Sequence, residues 1–133
     1  MAALIKDRNT PKRPGNQNSD PVGAGVKIHA GSIVVLNATN FAVPATTAIG
    51  LRVRGMAEEM ADNTNGADGD ITVETHKGVY RFENDGSITR AHIGGKAYLV
   101  DDQTLAATDG AGTRSEAGDI YDVDDDGVWI EFK

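Results

Sequence analysis

The sequence predicts an all-β fold, a small β-barrel or sandwich of short antiparallel strands entered through an extended N-terminal arm. Three observations carry this reading. Apolar residues recur with period 2 over short runs, as in Leu51-Arg52-Val53-Arg54-Gly55-Met56 and Val79-Tyr80-Arg81-Phe82-Glu83, the spacing of a strand with one buried face. Turn formers separate the runs, and sixteen glycines supply positions that can take positive φ without steric cost. No 3.6-residue apolar period persists beyond two turns, so any helix is short.

In chain order, Ile33-Val34-Val35-Leu36 is a β-branched run between Gly31-Ser32 and Asn37. Phe41-Ala42-Val43 is a second short piece, ended by Pro44. The strand at 51–56 is expected to continue or fray through 57–61. A loop follows at 62–69, rich in Asp, Asn and Gly. Ile71–Thr75 and Val79–Glu83 read as a hairpin joined by His76-Lys77-Gly78. The stretch from Ile88 to Lys96 is ambiguous because of Gly94-Gly95. Ala97–Val100 and Thr104–Ala107 are further strands, and 108–118 is a Gly-rich loop. Ile120–Val123 and Val128–Phe132 form a closing hairpin around Asp124-Asp125-Asp126-Gly127.

The 133 residues allow one modest core, expected over residues 27–133. Residues 1–26 are expected to form a flexible basic arm. Asn9 to Pro21 contains no aliphatic or aromatic residue and three of the four prolines, so it cannot offset its own ordering entropy without a partner. Charge divides the same way. Residues 1–30 carry five basic and two acidic side chains, a balance of +3. The remainder carries eight basic and eighteen acidic ones, a balance of −10.

These numbers exclude several classes. An acidic body repels phosphates, so nucleic acid is not an expected partner. No apolar run approaches the ~20 residues of a membrane helix. Met1–Ile5 is too short for the apolar core of a signal peptide, and a cytoplasmic origin is expected. With no cysteine, disulfides and thiolate chemistry are absent.

No constellation of catalytic residues emerges, and no enzymatic activity or cofactor is expected. Asp122-Val123-Asp124-Asp125-Asp126-Gly127 matches the first half of an EF-hand loop, but Lys133 stands where a bidentate Glu is required. An Asp-Gly hairpin tip accounts for it. Asp62, Asp68 and Asp70 follow no metal-ligand spacing. His29, His76 and His92 form no paired motif, and Ser32, Ser87 and Ser115 have no nucleophile-elbow context. Trp129 with Tyr121 could form a small stacking platform for a glycan.

One set of residues points to a family. Gly31-Ser32-Ile33-Val34-Val35-Leu36 is followed by Ile49-Gly50-Leu51-Arg52-Val53-Arg54-Gly55-Met56-Ala57. After these come Asp62-Asn63, Gly69-Asp70-Ile71-Thr72-Val73 and Gly78-Val79-Tyr80-Arg81-Phe82. Ile93-Gly94-Gly95-Lys96-Ala97-Tyr98-Leu99-Val100-Asp101-Asp102 and Gly127-Val128-Trp129-Ile130 close the series. Over about residues 27–133 this resembles the small capsid decoration, or cement, proteins of tailed bacteriophages, in particular those of Mu-like phages and related siphophages. The resemblance implies a structural virion protein, made in the host cytoplasm and placed on the outer capsid surface. It would bridge major capsid protein subunits. It also implies self-association, as a homotrimer or, second, a dimer. The arm is expected to be mobile when free and ordered on assembly, with Leu4 and Ile5 docking in an apolar recess of a capsid subunit or neighbouring copy and Lys12 and Arg13 facing carboxylates. Two other readings stay open: a carbohydrate-binding module on a virion or cell surface, and a small hydrolase with a carboxylate pair in the acidic loops.

Overall fold

A computed structural model describes residues 2–133. The fold is all-β, as expected, with twelve strands and one 3-10 turn among the described residues. The strands are β1 (Gln17–Pro21), β2 (Lys27–Ile28), β3 (Ile33–Leu36), β4 (Ala42–Pro44), β5 (Arg52–Ala57), β6 (Ala61–Asp62), β7 (Thr72–His76), β8 (Gly78–Asn84), β9 (Lys96–Leu99), β10 (Thr104–Ala106), β11 (Glu116–Asp124) and β12 (Gly127–Phe132). The 3-10 turn, Arg90–His92, occupies the stretch that the sequence left ambiguous.

The strands form two main units. An antiparallel sheet has the order β1-β7-β5-β3-β4, and a closed five-stranded barrel has the order β10-β8-β12-β11-β9. Strands β2 and β6 pair separately. Strand β3 is the common wall. Ile33, Val34 and Val35 are all fully buried, because successive side chains point to opposite faces and both faces are covered. Ile33 and Val35 join the barrel core of Leu99, Leu105, Ile120, Val128 and Ile130. Val34 faces the other way, into a smaller core with Val22, Ile28, Ala42, Ala57 and Val73. Each such aliphatic side chain contributes about 1.5–3 kcal/mol when fully buried.

Two expectations are corrected. The segment 71–83 is not a hairpin: β7 pairs with β1 and β5, while β8 pairs with β12 and β10. Only Lys77 separates the two strands, too few residues for even a two-residue turn. The chain instead crosses from the sheet into the barrel. The expected boundary of the arm at residue 26 also moves. The chain enters the sheet at Gln17, Val22 is fully buried and Asp20 is 8% exposed. Polar strand residues escaped notice because their partners, not their own apolarity, hold them. Met1 lies outside the described residues. The closing hairpin stands as read, although β11 begins earlier, at Glu116, and has a bulge at Tyr121.

A second bulge shapes the sheet. Val34 pairs with Gly55 but Val35 pairs with Val53, so Arg54 is an extra residue in β5 and its side chain is re-aimed. Gly55 makes the bulge possible. It has φ of 140°, and a Cβ there would sit 2.4 Å from the His76 carbonyl oxygen.

Candidate functional site

The surface with no role in the fold is the arm and the strand edge that it leads into. Every residue from Ala2 to Asn16 is exposed. Leu4 is 72% and Ile5 97% exposed. Lys12 and Arg13 are exposed as well, and Arg13 borders a shallow groove with Gln17, Ser19 and Glu74. The arm residues chosen from sequence are thus brought together on one segment. Lys12 and Arg13 form no ion pair among the described residues.

The arm continues into β1, whose hydrogen-bond phase can be read from its ends. Lys77 N–H donates to the Asn16 carbonyl at 2.9 Å, and Val22 N–H donates to the Ile71 carbonyl at 3.0 Å. Between them Asn18 is opposite Thr75 and Asp20 opposite Val73, so the even-numbered residues turn their backbone groups toward β7. Gln17 and Ser19 turn theirs outward, and neither has a backbone partner among the described residues. Beyond them the edge is closed: Pro21 has no N–H, and Gly23 N–H donates to the Ala42 carbonyl of β4 at 3.1 Å. Sequence reasoning missed this edge. Its one signal was Pro21, a residue that sheets confine to edges and strand ends.

Beside the edge lies an acidic and apolar surface. Glu74 is the register partner of Ser19 and therefore shares its face. A groove of about 210 Å³ runs along Glu59, Met60, Thr72 and Glu74, and Met60 is 54% exposed. Glu58 is engaged by His76, at 3.1 Å from Nδ1. Glu59 and Glu74 form no ion pair among the described residues.

The other sequence candidates have local partners. Asp122 accepts from Arg90 at 3.1 Å and from the Val123 N–H. Asp124 accepts from the N–H groups of Asp126 and Gly127 and, at 2.8 Å, from Trp129 Nε1. The Trp129 indole holds the Asp124 carboxyl below the ordinary carboxylate range, with the turn amides adding to the effect. Asp62 bonds Thr64, Asp68 accepts from Ala24 N–H, and Asp70 accepts from Ala67 N–H. Ser32 donates to the His29 carbonyl, Ser115 to the Ala48 carbonyl, and Ser87 to Asp85. Among the described residues no group of three or more His, Asp or Glu side chains is placed to hold a metal.

The aromatic platform is incomplete. Arg81 sits 5.7 Å from the Trp129 ring centroid. Tyr121 is the only exposed aromatic residue among those described, at 62%. A separate groove of about 230 Å³ includes Lys77, Lys96, Glu116, Asp119 and Lys133. There Asp119 takes both Lys96 and Lys133, and these ammonium groups lower its pKa to about 2, Lys133 contributing most.

No protein-family model, curated protein or solved structure matches the chain.

Proposed function

We propose that this chain is a structural accessory protein of a tailed-phage head, bound to the outer surface of the capsid and bridging major capsid protein subunits. The observation that carries the reading is an acidic folded body that leaves every residue of a basic arm, Ala2–Asn16, exposed. The sequence resemblance to decoration proteins supports it. Such a protein works by binding alone. It buries surface available only on the expanded shell and raises the barrier to rupture by packed DNA. A ring of three copies fits closed cyclic symmetry. Exposed ion pairs of Lys12 and Arg13 would add only ~0–1 kcal/mol each, so Leu4, Ile5 and backbone hydrogen bonds supply most of the arm's affinity.

Co-sedimentation with phage heads tests this. Binding to expanded heads and not to unexpanded ones is expected. Equal binding to both, or to neither, would overturn the reading.

A further inference from the structure

We infer that the open edge of β1 is the docking site for residues 2–10 of a second copy, so that copies associate by exchanging arms. This goes beyond the capsid reading and does not rest on it.

Four observations point to this occupant. The first is the edge. Gln17 and Ser19 present two N–H and two C=O groups outward with no partner among the described residues, and an extended segment satisfies such groups by adding a strand. The second is the arm itself. Residues 2–10 contain no proline, whereas Pro11 and Pro14 lie between them and β1. The pairing strand therefore ends before Pro11, and 11–16 is the tether. Six extended residues reach about 20 Å, enough to cross to an adjacent copy. Residues 2–10 make no backbone hydrogen bond to Gln17 or Ser19 of their own chain.

The third is charge and polarity. In an extended strand Leu4, Lys6 and Arg8 share one face. The sheet face beside the open edge offers Glu74, which borders the same groove as Gln17 and Ser19 and forms no ion pair among the described residues. Lys6 and Arg8 would therefore face an unpaired carboxylate. The fourth is geometry. The arm and the edge it would fill are different surfaces, so the contact is head-to-tail, the kind that forms a ring when the rotation between copies closes.

The absence of native cysteine makes the test clean. Lys6→Cys and Gln17→Cys are made as separate variants, mixed, and treated with a short bismaleimide. A cross-linked dimer that forms in the mixture and in neither variant alone is expected. The combined Lys6→Cys/Gln17→Cys chain should cross-link between chains. Ser19→Pro removes only an outward N–H and blocks the edge. Deletion of residues 2–10 removes the donor. By light scattering the unmodified protein should exceed monomer mass, and both variants should be monomeric, still melting cooperatively but with a melting temperature that no longer rises with protein concentration. Monomeric unmodified protein, retained association in the deletion variant, or cross-linking confined within one chain would each overturn the inference. If Ser19→Pro does not fold, the deletion and the mixed cross-link still decide.

Discussion

Arg54 holds Asp20 with two hydrogen bonds, Nε to Oδ2 at 2.8 Å and Nη2 to Oδ1 at 3.2 Å. The pair ties the edge strand to a bulge residue of β5, which lies two places away in the sheet order. The Arg54 carbonyl also accepts from Asn18 Nδ2 at 3.0 Å. One bulge residue thus fastens β1 through both its side chain and its backbone.

Removing that cation should be costly. Arg54→Met leaves the Asp20 carboxylate, 8% exposed, without its partner, and a loss of about 3 kcal/mol is expected. Asp20→Asn retains part of the hydrogen bonding and should cost about 1 kcal/mol. Urea unfolding of both variants measures this. A loss for Arg54→Met no greater than that for Asp20→Asn would show that the pair does not anchor the strand.

Asp119 should titrate abnormally. Its pKa is lowered to about 2 by Lys133 and Lys96, so its folded value lies below the unfolded one, near 3.9. Its stabilising contribution is therefore present above the unfolded value and is lost as pH falls through about 2. Carboxyl NMR should place the midpoint there, and Lys133→Met should raise it more than Lys96→Met. A normal midpoint would mean that the lysines are not engaged in solution.

The hairpin tip should be indifferent to calcium. Asp124 is committed to Trp129 Nε1 and the turn amides, and Asp122 to Arg90. Chelator is expected to leave the melting temperature unchanged, and added Ca²⁺ to leave the emission of the single tryptophan unchanged. Acid should shift that emission, because Asp124 is held below its ordinary value. Its contact with the indole is fully present above the ordinary value and fails only as pH falls through the lowered one. A melting temperature that falls on chelation would restore the ion-binding reading of 122–127.

The position at which the arm ends can be tested by truncation. Deleting residues 2–15 should leave the cooperative transition of the body intact and lower occupancy on capsids. Deleting 2–26 also removes Asp20 and the fully buried Val22, and the cooperative transition should disappear. If the longer deletion melted like the full chain, β1 would be dispensable to the fold.

The contrast between β3 and β1 shows what the sequence made legible. The run Ile33–Leu36 declared itself because it is short, β-branched and bounded by turn formers, whereas the single core expected from length proved to be two, divided by this strand. The closing hairpin was equally plain, with Asp124–Gly127 between two alternating runs. β1 was invisible for the opposite reason. Asn18 and Asp20 are polar residues whose acceptor and cation, both supplied by Arg54, are contributed from more than thirty positions away. The apparent hairpin at His76–Gly78 failed because alternation marks a strand without naming its neighbour. Of the candidate site, Leu4, Ile5, Lys12 and Arg13 could be chosen from composition. Gln17 and Ser19 could not, since an unpaired backbone group belongs to topology rather than to a side chain.

The pairing of Gln17 with His76 also sets an order of events. Strand β1 leaves the ribosome before β7 and must wait for it, and contacts so distant along the chain form late. β1 should therefore be absent from the folding transition state. Asn18→Ala would speed unfolding and leave the folding rate almost untouched, a shift confined to one limb of the chevron. The edge that stays open in the finished protein is then also the part of the sheet completed last. A newly made chain would expose its arm before the site for a neighbour's arm exists, and exchange between copies would begin only after each body has closed.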